Sequence, residues 1–164
     1  MFVTNHVLSG VLIGRAMERR PVAAFLVGVG SHLLLDAMPH WGCDYAEEGA
    51  EERFLSMAKR DGVLGLATMA VTAVAVGKSS RTATIAAMAG AAFLDLDKPT
   101  KHFFGFDPFP DVISRLHHWV QNESPEGMPN EFAYGTIFAA GDIIATVVTR
   151  RRGRIGGRVA ELPF

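Results

Sequence analysis

Five stretches rich in Ala, Val, Leu, Ile, Phe, Gly and Met recur along this 164-residue chain: roughly His6 to Met17, Val22 to Met38, Val63 to Gly77, Thr82 to Leu94, and Phe132 to Thr149. Each is shorter than, or only near, the ~20 apolar residues that a spanning helix needs, so none is decisive alone. Together they predict an all-α fold, an integral membrane bundle of about five main helices. The polar connections test that threading, because Lys and Arg favour cytoplasmic loops. With the first, third and fifth connections inside, that side carries Arg15, Arg19, Arg20, Lys78, Arg81, Arg150, Arg151, Arg152, Arg154 and Arg158. The other side carries Arg53, Lys59, Arg60, Lys98, Lys101 and Arg115. The expected topology is therefore multi-pass in the cell membrane with a cytoplasmic C-terminus. Of the 17 acidic residues only Glu18 and Glu161 lie inside and Asp142 in mid-span. Acids contribute little to orientation, so their outward bias reads as chemistry.

Length predicts one domain over residues 1–150, followed by a basic cytoplasmic tail at 151–164. The 17 glycines suit close-packed helices in lipid. A net charge of −1 gives no reason to expect nucleic acid, and a basic cluster directly after an apolar span reads as a cytoplasmic anchor. The single Cys43 excludes an internal disulfide framework. The first apolar run lacks a basic leader, so it reads as a retained helix and not a cleavable signal. Pro39 to Arg60 and Lys98 to Asn130 read as loops with short amphipathic helices. Within the second, Val112, Ile113, Leu116 and Trp119 fall along one side, as an interfacial helix would place them. A soluble helical protein whose short apolar segments form its core remains an alternative.

All six histidines fall at the outer face in this threading. His32 and Asp36 are four residues apart and project from one helical face, about a turn apart, where they can share an ion. His40 follows the helix-ending Pro39. Asp95 and Asp97, one residue apart at the end of an apolar helix, suit a divalent cation, although Asp95 could instead pair with Lys98 or Lys101. His6, Asp36, Asp61, Asp95 and Glu131 all lie near the outer ends of their helices, so five helices deliver a polar residue to one level.

Thr4-Asn5-His6 with Gly10, then Leu94-Asp95-Leu96-Asp97, then His102 and His117 or His118, together with the run from His32 to Trp41, resemble the membrane-bound metal-dependent hydrolases, small multi-helix proteins distantly related to zinc-dependent phospholipase C. The resemblance implies two or three divalent ions, Zn²⁺ by ligand type, on His6, His32, Asp36, Asp95, Asp97 and His118. It implies hydrolysis of a phosphoester or other ester of an amphipathic, lipid-like substrate, with Asp61 or Glu131 as general base. Lys98, Lys101 or Arg115 would hold a phosphate head group, and His40 and His117 would orient ligands.

Two other readings use the same residues. Asp95-x-Asp97 with Lys98 and Lys101 would suit Mg²⁺ on a diphosphate, with phenylalanines 93, 103, 104, 106 and 109 lining an isoprenoid pocket. Alternatively, intramembrane His and Asp form a non-catalytic proton or metal relay, for which Asp142 is the best support.

Overall fold

The computed structural model describes the backbone of residues 1–160 and the side chains of residues 1–149, so the charges of the basic tail lie outside the described side chains. The described chain is all-helical: α1 (Val3–Ala16), α2 (Pro21–Asp36), α3 (Ala50–Ala75), α4 (Lys78–Ala91), α5 (Asp97–Phe104), α6 (Asp111–Val120) and α7 (Met128–Ala160). Two dipeptides, β1 (His40–Trp41) and β2 (Glu123–Ser124), pair in parallel and tie the end of α2 to the segment after α6.

Local chemistry accounts for the boundaries. Pro21 opens α2 at the position where its missing N–H costs nothing. Pro39 disfavours helix at Met38 and stops it. Gly49, at φ 74°, turns the chain into α3, whose first turn holds Glu51 and Glu52 at the positive end of the helix dipole. That start differs from expectation. The segment before residue 63 is not a loop with a separate short helix, because α3 runs unbroken from Ala50. The long second loop does contain two short helices, α5 and α6.

Helices α1 and α4 form the centre, with α2 packed on α4 and with α3 and α7 against α1. Small residues allow the close approach. Gly10 and Gly14 of α1 lie on α4, where a Cβ at Gly10 would sit 2.7 Å from Met88 Cα and one at Gly14 would overlap the Thr84 backbone. On α2 the buried stripe runs Ala24, Gly28, His32, Asp36, one residue per turn. The same face therefore begins as a packing surface and ends as a polar pair.

The apolar core is small: Val7, Val11 and Met88 in one cluster, Ala24, Ala83 and Ala87 in another. Among the described residues, thirteen polar or charged residues are buried against twelve hydrophobic ones. Large apolar side chains instead point outward, including Val22, Leu26 and Leu34 on α2, Val71 and Val74 on α3, and Ile137, Ile143 and Ile144 on α7. That is the reverse of the usual distribution in water. One helical stretch among the described residues, Pro125–Thr149, is long and apolar enough to cross a membrane, and none of its apolar window is buried. α2, at 16 residues, is apolar but shorter.

Candidate metal centre

At the end of the bundle where α1 starts and α2 ends, three imidazoles converge on one carboxylate. His6 Nε2 lies 3.1 Å from Asp36 Oδ1, and His32 Nε2 and His117 Nε2 each lie 3.1 Å from Asp36 Oδ2. The two latter nitrogens are 3.0 Å apart. The His6 and His32 rings stack with centroids 3.9 Å apart. The α-amino group of Met1 also reaches Asp36 Oδ1, at 3.0 Å. All four side chains are buried. Two groupings have ligand atoms close enough to share an ion: His6, His32 and Asp36, and His32, Asp95 and His117.

Surrounding contacts orient these rings. His32 Nδ1–H donates to the Ala91 carbonyl at 2.7 Å, an acceptor left open by the end of α4, so Nε2 faces Asp36. Behind His117, Asp97 Oδ2 stands 3.6 Å from Nδ1. Asp95 is bonded by Lys98 Nζ at 2.5 Å. Burial works against its charge, but Lys98 and the imidazoles of His32 and His6 hold the Asp95 carboxyl well below the usual range. Three buried polar atoms in the cluster, His6 Nδ1, Asp97 Oδ1 and His117 Nδ1, have no hydrogen-bond partner.

His117 is pushed up to about 9. Burial opposes the charged ring, but the Asp36 and Asp97 carboxylates outweigh it. Because that value lies above the ordinary 6.5, the charged ring stabilises the metal-free chain fully below about pH 6.5, and this contribution is lost as pH rises through 9. A divalent ion must displace the proton. Metal affinity should therefore climb with pH across that window by up to about tenfold per unit, with about one proton released. Calorimetry in two buffers of different ionisation enthalpy measures the release. A second expectation concerns Asp97, which touches His117 from behind. Asp97→Asn should weaken metal binding by about 10- to 100-fold, checked by competition with a chromogenic chelator.

Of the expected ligands, His6, His32, Asp36 and Asp95 lie in the cluster and Asp97 stands behind His117. His118 does not join them. It sits on the outer face of α6 with Val112, Arg115, Leu116 and Trp119, and its neighbour His117 takes the inward position. His40 lies apart, its Nδ1–H donating to the Met38 carbonyl and its Nε2 3.7 Å from Glu123 Oε1. His102 is exposed beside Phe103. Lys101 pairs with Asp107 at 2.8 Å, and Arg115 is exposed.

Asp61 and Glu131, expected as general bases, grip the start of α1. Asp61 accepts from Val3 N–H at 2.6 Å and Thr4 N–H at 3.2 Å. Glu131 accepts from Phe2 N–H at 3.1 Å, from Asn5 Nδ2 at 2.7 Å and from Trp41 N–H at 3.3 Å. α1 has no capping side chain of its own, so two acids from α3 and α7 satisfy its open amides. Asp61→Ala should accordingly lower stability by about 1–3 kcal/mol, seen as a fall in Tm. A loss of activity with an unchanged Tm would point instead to proton transfer.

No family model, curated protein or solved structure matches the chain.

Proposed function

We propose that this chain is a metal-dependent hydrolase of the membrane, acting on a phosphoester or other ester of a lipid-like substrate, with affinity to the membrane-bound metal-dependent hydrolases. The convergence of His6, His32 and His117 on Asp36 carries this reading: three imidazoles around a buried carboxylate make a donor set suited to a zinc-like ion. When bound, such an ion supplies Lewis acidity and lowers the pKa of water. The chain's own residues do the rest. Ala91 and Asp97 orient the rings, Lys98 balances Asp95, and burial excludes bulk water.

The outward apolar faces of α2, α3 and α7 support a membrane setting, in which the short helices pack as a bundle with the unsupported apolar surface in lipid. In the expected topology the cluster faces the extracytoplasmic side. The Mg²⁺ reading is less well supported, because among the described residues both groupings that could hold an ion include histidine and neither brings Asp95 and Asp97 together. The relay reading also weakens, since Arg15 Nε sits 2.6 Å from Asp142 Oδ1 and its guanidinium also bonds Thr146.

Elemental analysis of detergent-purified protein, paired with hydrolysis of a phosphodiester probe with and without added Zn²⁺, tests the reading. About one or more zinc, manganese or iron per chain with metal-dependent turnover is expected. No retained metal and no turnover on adding it would end the proposal.

A further inference from the structure

The three imidazoles and Asp36 are sealed, with only Asp95 at the edge of the cluster partly exposed. His6, His32 and Asp36 are 0% exposed and His117 is 1% exposed. A substrate the size of a phosphate ester cannot reach them unless something moves, and α6 has little to hold it. Only Ser114 and His117 of α6 are buried, and Ser114 bonds within the same segment, to Asp107 at 2.9 Å. Among the described hydrogen bonds, the side chain that ties α6 to the bundle is His117, itself part of the cluster. Beyond α6, Asn122 N–H donates to the Asp36 carbonyl at 2.9 Å, so one end is anchored while the other leads back through Gly105 to α5.

The outer face of this segment is apolar to an extent water does not favour. Phe103, Phe104, Phe106, Val112, Leu116 and Trp119 are exposed, Trp119 to 81%. An indole on an amphipathic helix is the side chain that settles at the headgroup level of a bilayer. The patch also joins the apolar flank of α2: the rings of Phe25 on α2, Phe93 and Phe109 form a ladder with centroids 5.5 and 5.2 Å apart. Lipid against the outward face of α2 would thus run on beneath α6.

We propose that α6 forms a lid seated in the headgroup boundary of a lipid bilayer, and that this seating draws His117 off the cluster and admits a membrane lipid to the His6, His32 and Asp36 grouping, which can hold an ion without it. The proposal rests on the hydrolase reading for its substrate, but the lid and its partner are read independently of catalysis.

The chain has two tryptophans, so Trp41→Phe leaves Trp119 as the sole reporter on α6. In phosphatidylcholine nanodiscs, Trp119 fluorescence should fall by about half or more with lipids brominated near the headgroup end of the acyl chain, and less with deeper bromines. Adding Val112→Glu and Leu116→Glu should remove most of that quenching. It should also slow modification of His32 by diethylpyrocarbonate about fivefold or more in the metal-stripped, full-length protein, with exposed His102 as the internal reference. Trp119 quenched by aqueous iodide and not by bromolipid would overturn the proposal. So would Trp119 quenched by neither, the mark of a second protein copy on this face, or His32 reacting equally fast in both variants. Metal content of the unaltered chain is read separately, so failure of the hydrolase reading and failure of the lid give different results.

Discussion

Asp36→Asn is expected to strip the protein of bound metal and abolish metal-dependent turnover. Both oxygens of Asp36 are committed, Oδ1 to His6 and Oδ2 to His32 and His117. An amide keeps the volume but presents an N–H₂ to at least one imidazole and removes the charge that offsets a cation. Residues that merely orient ligands change metal affinity by about 10- to 100-fold, so loss of the shared carboxylate should exceed about 100-fold. Removing one partner of a buried ionic group also costs about 3–5 kcal/mol, an upper figure here because the imidazoles can release protons in response. Metal stoichiometry and Tm measured on the same sample separate the two effects. A variant that keeps its full metal content would show that the cluster is not where the ion binds.

Gly14→Leu is expected to unfold the bundle or prevent its assembly. The clash is with the Thr84 backbone, which cannot swing aside as a side-chain tip would. Overpacking a core usually costs about 1–3 kcal/mol, and a backbone collision should reach the top of that range or pass it. The damage should extend to the candidate metal centre, because the α1–α4 spacing positions His6 against His32, whose Nδ1 is bonded to α4. Gly62→Ala is the matched control. It has nothing within 4 Å of its new methyl and lies inside α3, so a gain of about 0.5–1 kcal/mol is expected. Thermal melts of the two variants in one detergent should move in opposite directions.

How far the chain could be read in advance depended on whether the information was local. The His32–Asp36 pair was visible because one helical turn separates its members, and the main helices followed from apolar runs. Helical geometry alone favours His118 over His117: at about 100° per residue they stand about 30° and about 70° from the axis opposite the Val112–Ile113–Leu116–Trp119 side. What turns His117 inward is non-local: Asp97 behind its ring and Asp36 in front of it. Asp61 and Glu131 carried a similar ambiguity. Their position at the outer ends of helices was evident, but the open amides of α1 that claim them come from a segment far away in sequence. The start of α3 was missed because residues 50–62 are too charged to extend an apolar run, although Gly49 and the acids after it mark a helix beginning.

The grip of Asp61 and Glu131 on the opening turn of α1 has a bearing on biogenesis. The opening turn of α1 waits for one carboxylate some sixty residues later and for another almost at the start of α7. Until α7 has emerged and docked, Phe2 and Asn5 lack their acceptor, and the stretch that carries His6 is only half secured. A nascent chain arrested before Glu131 would hold every histidine together with Asp36, Asp95 and Asp97, yet should present them in an unfinished frame.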